Sequence, residues 1–379
     1  MKIEDMIIKA RALGGSDIHL VCGIPPKFRT HGELQNLTEE PLTYDDCEQY
    51  ALELAGTRYQ DMKSIGELDF AATIAGSRIR VNLFRQQGAV SAALRILNDH
   101  IPKIDELGLP DIVRKFPTWQ KGIVLVTGET GSGKSTTLAA ILDEINHTRR
   151  EHIITLEDPV EYIYKPDLCL INQREIGRDT REYATGLRAI LREDPDIILI
   201  GEMRDTETME TAMTAAETGH LVFATLHTNS AADTVDRIVS TFPADRHAQI
   251  RMQLSTTLRA VLAQQLVVTK DGRGRCCAAE VMVVTPAIRN LIREGKTPQI
   301  ASAILSSSRE GSITMDNSLI KMVREEKISP ETAVVAAADP ERVESQVGRS
   351  AGSSMHMAMD PPCSGSSRKP FAGGGTLKF

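Results

Sequence analysis

Residues 122–137 read Gly-Ile-Val-Leu-Val-Thr-Gly-Glu-Thr-Gly-Ser-Gly-Lys-Ser-Thr-Thr. The apolar run Ile123–Val126 predicts a buried strand. It leads into the phosphate-loop pattern Gly-x-x-x-x-Gly-Lys-Ser, which begins at Gly128, and a helix-compatible run follows as far as Asn146. A chance glycine-rich turn is the alternative, but the pattern is demanding and lies between a strand and a helix, as the motif requires. The stretch therefore predicts a nucleotide site.

The phosphate loop has a chemical reason at each of its positions. Glycines let successive backbone N–H groups turn towards phosphate oxygens, and the helix that follows adds the positive end of its dipole. Lys134 can reach the β- and γ-phosphates of ATP, and the Ser135 hydroxyl can ligate Mg²⁺. The predicted nucleotide contacts are Gly128, Glu129, Thr130, Gly131, Ser132, Gly133, Lys134, Ser135 and Thr136.

Composition limits the classes of protein to which the chain can belong. Its 379 residues suggest two or three domains, and a hydrophobic content of 41% is enough to build their cores. A net charge of −7 argues against nucleic acid as the main partner. No apolar run approaches the ~20 residues of a membrane span, and the charged N-terminus is unlike a signal peptide. The six cysteines form no C-x-x-C pair, so we expect reduced thiols in a cytoplasmic protein.

Residues 1–98 carry no nucleotide motif and predict a small α+β domain. Periodicity indicates helices over 3–13 and 44–55, and alternation indicates a hairpin near 16–34 and three later strands. The arginines of the later strands are Arg78, Arg80, Arg85 and Arg95. A basic strand face is the plainer interpretation of these arginines. The other interpretation is that one of them supplies positive charge to phosphoryl transfer.

The rest of the chain divides by composition and periodicity. Residues 99–118 are rich in proline and predict a linker or hinge. Residues 119–285 alternate strands with helices, which indicates a mostly parallel sheet covered on both faces. Residues 286–338 predict helices alone. Residues 339–379 are dominated by glycine, serine and proline, which predicts a disordered tail.

An acidic stretch follows the second predicted core strand. Ligands of an open α/β sheet bind beyond the carboxyl ends of its strands, so the chemistry is expected there. The stretch Thr155–Glu161 carries three carboxylates, on Glu157, Asp158 and Glu161. One of them could activate a water for attack on the γ-phosphate, whereas a solvated acidic loop is the alternative.

A further acidic position follows the aliphatic run Ile197–Ile200. The run fits a Walker-B strand, whose carboxylate holds Mg²⁺ or its water shell. Many such strands end in two acidic residues, but here Gly201 leaves Glu202 as the candidate at the tip. Asp196 stands before the strand, where we expect it to cap the backbone or to pair with an arginine.

Two histidines, His220 and His227, bracket the predicted strand that follows. A histidine at a strand end beside a phosphate loop could contact the γ-phosphate, although a single histidine is more often structural. We therefore expect a functional role for His227 more strongly than for His220.

Together these residues resemble the secretion-ATPase superfamily and, within it, the type IV pilus retraction ATPases. The resemblance runs from about Ile3 to Ile328. It is carried by Ser16–Leu20, the Walker-A loop 128–135, the Asp box 157–161, the Walker-B region 194–205, the His box 218–228 and the segment Ala287–Glu294, which is similar to a motif linked to retraction.

The resemblance implies an α/β fold with a RecA-like P-loop ATPase core, a small α+β PAS-like N-terminal domain and a helical C-terminal region. It also implies a homo-hexamer that hydrolyses ATP with Mg²⁺ and works at the inner face of the cytoplasmic membrane. The implied partners are an inner-membrane pilus platform protein and a paralogous retraction ATPase.

The resemblance also assigns roles to residues. Glu161 is implied as the general base and Glu202 as the Walker-B acid that joins Ser135 at the metal. The two histidines are implied to belong to the nucleotide site. The arginine-bearing strands match as well, which raises the phosphate-contact interpretation above the plainer one and leaves the choice open. The candidates for this contact are Arg78, Arg80 and Arg95.

Alternatives to a retraction motor remain at this point. An accessory retraction ATPase and a secretion or DNA-uptake motor would share the same chemistry. Type II secretion and extension ATPases usually carry a four-cysteine metal motif, which this sequence lacks. A non-hydrolysing scaffold would not need Lys134, Glu161 and Glu202, and a RecA-type DNA-processing enzyme would need a basic, aromatic strand-binding stretch.

Overall fold

The structure is a computed structural model that describes residues 1–30, 32–97 and 100–352. Two sheets organise these residues, one of six strands and one of seven, and each has its own hydrophobic core. The expected fold class is confirmed, because a small α+β domain precedes a parallel α/β core and a run of helices follows that core.

The N-terminal domain is built on an antiparallel sheet. Its strands are β1 (Asp17–Leu20), β2 (Lys27–Thr30), β3 (Glu33–Asn36), β4 (Glu67–Ile74), β5 (Ser77–Gln86) and β6 (Ala89–Ile96). They lie in the order β3-β2-β1-β6-β5-β4. The helices are α1 (Ile3–Ala12), α2 (Tyr44–Ala55) and α3 (Tyr59–Ile65). Along β5, Ile79 and Val81 are buried, so the alternating Arg78 and Arg80 lie on the opposite, less buried face.

The core sheet is parallel except at one edge. Its strands are β7 (Gly122–Thr127), β8 (His152–Glu157), β9 (Leu170–Glu175), β10 (Ile197–Ile200), β11 (Leu221–Leu226), β12 (Leu258–Val268) and β13 (Arg275–Val283). They lie in the order β13-β12-β7-β11-β10-β8-β9, and β13 pairs with β12 antiparallel. Every residue of β7, β10 and β11 is buried, because helices cover both faces of the central strands.

Helices alternate with these strands and then continue alone. The core helices are α4 (Lys134–Thr148), α5 (Tyr183–Ile190), α6 (Thr206–Glu217), α7 (Ala231–Thr241) and α8 (His247–Thr257). The C-terminal helices are α9 (Pro286–Glu294), α10 (Ile300–Ser306), α11 (Met315–Arg324), α12 (Pro330–Ala336) and α13 (Pro340–Gly352). Side-chain caps define several starts; for example, the Ser230 hydroxyl accepts from the N–H of Asp233 at the start of α7.

Most of the predicted linker is packed against the core. Two 3₁₀ helices, Ile104–Leu107 and Asp111–Thr118, lie within it. Val113 and Phe116 are fully buried in the same cluster as Val124 of β7. The prolines of this segment interrupt regular helix, but the apolar residues between them still bury their side chains, so residues 104–118 form part of the core unit.

The predicted disorder from residue 339 onwards is wrong for residues 340–352, which form α13. Asp339 accepts from the N–H of Arg342 at 3.1 Å, and Pro340 occupies the first turn, where proline is tolerated. Val343 and Val347 are spaced by one helical turn and are buried at 0% and 4% exposure. Burial of each valine stabilises the helix by roughly 1.5–3 kcal/mol. The rest of the predicted tail, 353–379, lies outside the described residues.

Other elements also differ from the expectation. The predicted return strand near residues 28–34 is two strands, β2 and β3, paired with each other. The helices α3 and α8 and the strands β9, β12 and β13 were not predicted. Strand β9 was not predicted because it is an edge strand with the mixed sequence Leu-Ile-Asn-Gln-Arg-Glu, in which only the last residue is buried.

Candidate nucleotide site

The candidate site lies at the carboxyl edge of the core sheet. Strands β12, β7, β11, β10, β8 and β9 pair in parallel, so their carboxyl ends meet at this edge. The phosphate loop follows β7, the Asp box follows β8, Glu202 follows β10, and His227 follows β11. Sequence segments that are about 100 residues apart are therefore brought together by strand direction alone.

The phosphate loop requires its glycines. Gly128, Gly131 and Gly133 have φ angles of +138°, +82° and +91°, in the region that side chains disfavour. At Gly128 a Cβ atom would also lie 2.3 Å from the carbonyl oxygen of Gln264 in β12. The loop backbone consequently turns close against the sheet before α4 begins at Lys134. Within the loop, the Ser132 hydroxyl is buried and has no hydrogen-bond partner.

Lys134 points back over its own loop. Its Nζ donates to the carbonyl oxygens of Gly128 at 2.7 Å and Glu129 at 2.8 Å. Partial burial lowers the pKa of Lys134, although the charges of Glu202 and Glu161 act in the opposite direction. The lysine therefore lies in the electrostatic field of both acids that follow neighbouring strands. Ser135, the next residue, is exposed at the start of α4.

Glu202 is held at the strand tip by two basic groups. Its carboxylate lies 2.8 Å from the Arg204 guanidinium and 3.2 Å from Nε2 of His227. Burial by itself would raise the pKa of Glu202, but the Arg204 hydrogen bond and the nearby positive charges outweigh burial and lower it. The carboxylate is therefore ionised at neutral pH. The structure thus brings His227 and Glu202 together at the carboxyl edge.

The Asp box carries two acids in different environments. Glu157 accepts from the Thr155 hydroxyl at 2.6 Å and from the Gln173 amide at 3.3 Å. Desolvation by the surrounding protein disfavours the charged carboxylate and raises the pKa of Glu157 to about 7 despite these hydrogen bonds. Glu161 lies further along the loop, and its charge acts on Lys134. Glu161 is therefore the Asp-box acid within electrostatic range of Lys134.

The three N-terminal arginines are placed differently. Arg78 reaches the core, where its Nε donates to the Val160 carbonyl at 3.2 Å and its Nη2 pairs with Glu175 at 3.1 Å. Arg80 pairs with Asp69 of the neighbouring strand at 2.6 Å. This hydrogen bond raises the pKa of Arg80 despite partial burial, and the charges of Glu161 and Asp158 act in the same direction.

Arg95 remains in its own sheet. It pairs with Asp17 at 2.9 Å across β6 and β1, and its side chain is 66% exposed. The structure therefore does not bring Arg95 to the carboxyl edge within one chain.

Within one chain, the structure does not bring His220 to the carboxyl edge of the core sheet. His220 precedes β11, whereas His227 follows it, so the two histidines lie at opposite edges of the sheet. The Nδ1 atom of His220 lies 2.8 Å from the Ala215 carbonyl oxygen and 3.2 Å from the Thr218 hydroxyl. These contacts tie His220 to the end of α6. Two histidines at opposite ends of one strand cannot share a site within one chain, because the length of the strand separates them by about 20 Å.

Sequence reasoning missed some of the residues that line this edge. The Tyr162 hydroxyl lies 3.0 Å from the Thr136 hydroxyl and so connects the Asp box to the phosphate-loop helix. Gln173 of β9 donates to Glu157 and to the Tyr162 carbonyl. Glu175 ends β9 beside Glu157. Glu175 had no periodic signal in the sequence, because β9 reads Leu-Ile-Asn-Gln-Arg-Glu and does not alternate apolar with polar residues.

A cavity of about 520 Å³ opens between the phosphate loop and the packed linker. Leu107, Thr136, Cys277 and Met322 are among its lining residues. Apolar and polar side chains both line it, beside the first turn of α4. In the described ranges, no group of three or more His, Cys, Asp or Glu residues could hold a metal ion, and no helix is long and apolar enough to cross a membrane.

Comparison with known proteins defines the class. The family described as "Type II/IV secretion system protein" matches residues 2–334. The chain is 44% identical over 343 residues to the type IV pilus retraction ATPase PilT of Pseudomonas aeruginosa, covering 90% of this chain and 99% of that protein. It is 39% identical over 339 residues to the type IV pilus ATPase PilU of the same organism, covering 89% of each. This chain therefore belongs to the type II/IV secretion system protein family.

The fold agrees with this membership. A solved structure described as the pilus retraction motor PilT with bound ADP matches with a TM-score of 0.85 and 45% identity, covering 91% of this chain and 99% of that one. The inferred resemblance is thus confirmed: the chain is an ATPase of the pilus-retraction type that uses a nucleotide.

Proposed function

We propose that the chain hydrolyses ATP at the carboxyl edge of its core sheet and uses the energy to retract type IV pili. The observation that carries the proposal is the pairing of Glu202 with His227 within the electrostatic field of Lys134. An acid, an imidazole and the phosphate-loop lysine thereby surround the place where a γ-phosphate bound to the loop would lie. This combination of groups can bind, orient and stabilise a phosphoryl group during its transfer.

ATP and Mg²⁺ fit the residues at this edge. The loop glycines bring backbone N–H groups close to the phosphates, and Lys134 supplies positive charge. The exposed Ser135 hydroxyl and the ionised Glu202 carboxylate are oxygen ligands of the kind that Mg²⁺ prefers. When bound, Mg²⁺ would neutralise the negative charge that develops on the phosphate oxygens.

We assign Glu161 as the general base, which takes a proton from the attacking water. Its charge acts on Lys134, which supports a place for Glu161 near the phosphate loop. Glu157 suits this role less well, because Thr155 and Gln173 already engage its carboxyl group. His227, held by Glu202, is assigned to contact the γ-phosphate.

Of the N-terminal arginines, we assign Arg80 to the phosphates. Its side chain is 38% exposed and lies within the field of Glu161 and Asp158. A guanidinium in this position can stabilise the charge that spreads over the γ-phosphate oxygens. A rotation of the N-terminal domain relative to the core would move Arg80 towards or away from the site, which would link hydrolysis to domain motion.

The test of the chemistry is Glu161→Gln. The glutamine keeps the size of the side chain and removes the base, so we expect nucleotide binding to persist and turnover to fall at least ~100-fold. Glu144→Gln, an exposed change on α4, is the matched control and should keep wild-type turnover. Wild-type turnover in Glu161→Gln would remove Glu161 from the mechanism.

The test of the biology uses the same variant in the native cell. We propose a homo-hexamer that acts on an inner-membrane platform protein, with a paralogous ATPase as a further partner. Deletion of the gene should leave excess pili and no twitching, and only the wild type should restore motility. Loss of pili would indicate an extension role. Normal pili and motility would favour the accessory or secretion-motor function.

A further inference from the structure

Arg78 makes a contact between the two domains that the assigned chemistry does not use. It lies on β5 of the N-terminal sheet and touches the core at residues 82 and 97 positions away in sequence. Its Nε donates to the Val160 carbonyl at 3.2 Å, and its Nη2 donates to the Glu175 carboxylate at 3.1 Å. One guanidinium fork therefore spans the Asp-box loop and the end of β9.

Glu175 completes a closed arrangement around Val160. The same carboxylate oxygen that pairs with Arg78 accepts from the Val160 N–H at 3.3 Å. Arg78 and Glu175 thus hold both polar backbone groups of Val160. Because Val160 directly precedes Glu161, these contacts set the position of the segment that carries the general base.

The arrangement is buried and rigidly supported. The side chains of Arg78 and Glu175 are 12% and 4% exposed. The Glu175 N–H donates to the Asp179 carboxylate at 2.9 Å, and the N–H of Ile176 donates to the Glu157 carbonyl at 2.9 Å. Loss of one partner would leave the other charge buried and unpaired, which is costly. The ion pair therefore stays intact while the N-terminal domain is docked on the core, and it breaks when the two domains separate.

We propose that Arg78 is a positioning residue rather than a phosphate-binding arginine. It holds the Glu161 loop in its working position only while the N-terminal domain is docked on the core of its own chain. Hydrolysis is therefore permitted in the docked state and suppressed when the domain moves away. This inference rests on the proposed role of Glu161 as the base.

The proposal is tested by the steady-state kinetics of Arg78→Ala, Glu175→Ala and the double variant. A misplaced base lowers the rate of the chemical step, so kcat should fall roughly 10- to 100-fold in each. KM for ATP and the affinity for a non-hydrolysable ATP analogue should stay within about twofold, because the phosphate loop is untouched. The double variant should be no slower than the single variants, since both remove one arrangement.

Conservative variants separate positioning from a general loss of fold. The Glu175→Gln amide oxygen can still accept from Arg78 and Val160, so its kcat should fall less than that of Glu175→Ala. Arg78→Lys keeps the charge but lacks the fork, so it should remain slow. Backbone hydrogen exchange in a peptide over residues 158–164 should accelerate in Arg78→Ala and Arg78→Lys, which reports the loop directly.

Arg174→Gln is the matched control. Arg174 lies next to Glu175 on β9 and pairs with Glu193 at 2.8 Å. Arg174 also reaches the Asp179 carbonyl oxygen at 3.5 Å, but not the Asp179 carboxylate that holds the Glu175 N–H. Its loss should therefore leave the arrangement in place, with kcat and loop exchange close to the wild type.

Specific results would overturn the inference. If Arg78→Ala lost turnover while Glu175→Ala kept it, or if Arg78→Ala weakened binding of the ATP analogue, Arg78 would act on the nucleotide. Glu161→Gln, assayed in parallel, separates the two levels. An inactive Glu161→Gln beside fully active Arg78→Ala and Glu175→Ala would reject this inference alone, whereas a fully active Glu161→Gln would reject the proposed function.

Discussion

The two edges of the core sheet are both polar, yet they are polar for different purposes. At the carboxyl edge, Glu202, His227 and Lys134 interact with one another through side chains and charge. At the amino edge, polar side chains bind the backbone. Asp196 accepts from the N–H of His152 at 2.9 Å, and His220 contacts the Ala215 carbonyl oxygen.

The difference follows from strand direction. All the central strands run the same way, so each edge collects only one kind of strand end. The amino edge secures strand starts and helix ends, and its hydrogen bonds are internal. The carboxyl edge collects charged side chains from successive strands, where a ligand can bind them. The same residue type therefore has a structural role at one end of a strand and a ligand-binding role at the other.

The largest expected difference between the edges is in turnover, and it compares Lys134, which begins α4 after the phosphate loop, with Lys121, which precedes β7. Lys134→Ala at the carboxyl edge removes the charge that stabilises the transferred phosphate, and turnover should fall at least roughly 10²–10³-fold. Lys121→Ala at the amino edge changes an exposed residue and should keep turnover within about twofold. Phosphate release assays at saturating ATP would measure both. Equal losses would contradict the assignment of one edge to chemistry.

The two histidines at the ends of β11 should differ in their effect on turnover, by less than the two lysines do. His227→Ala removes a group paired with Glu202, so turnover should fall roughly 10- to 100-fold. His220→Ala removes a contact to the end of α6 and should lower the free energy of unfolding by about 1 kcal/mol. We expect its turnover per folded molecule to match the wild type. A turnover defect in His220→Ala that matches that of His227→Ala would show that the edges are not distinct.

The acid-rich carboxyl edge should also cost stability in a pH-dependent way. Desolvation raises the pKa of Glu157 from 4.5 to about 7. Between pH 4.5 and pH 7 the folded chain therefore binds more protons than the unfolded chain. Stability should therefore fall as pH rises from about 4.5 to 7. Glu157→Gln removes this loss of stability. Relative to the wild type, its free energy of unfolding should be about 2 kcal/mol more favourable at pH 8 than at pH 4.5, a figure reduced for the partial exposure of the side chain.

Urea unfolding of Glu157→Gln and the wild type at both pH values would measure that difference. A pH-independent effect would show that the carboxyl group is ionised equally in the folded and unfolded chains.

The smallest effect belongs to the amino edge. Asp196→Ala removes one hydrogen bond to the backbone N–H that begins β8, and should lower the free energy of unfolding by about 1 kcal/mol. Turnover should be unchanged at a temperature where the protein stays folded. Denaturant unfolding and an ATPase assay on one preparation would check both, and a tenfold loss of turnover would place Asp196 in the site instead.

Several features were predictable because they are local in sequence. The phosphate loop, the Walker-B strand and the alternation of strands and helices follow from spacings of a few residues, and the structure has them in the expected order. Helix α13 was missed although Asp339, Pro340 and two valines one turn apart are signals of a helix start and a buried face. The glycine- and serine-rich composition of the whole tail outweighed these four residues.

The sequence by itself determined the phosphate loop and the acids that follow the strands, because short-range spacing sets the turn and the strand ends. Tertiary structure decided which side chains meet. It placed His227 beside Glu202 and put His220 at the other edge, since strand direction is a property of the whole sheet. It also brought Arg78 to Glu175 across 97 positions, because the docking of one sheet on another leaves no trace in local sequence.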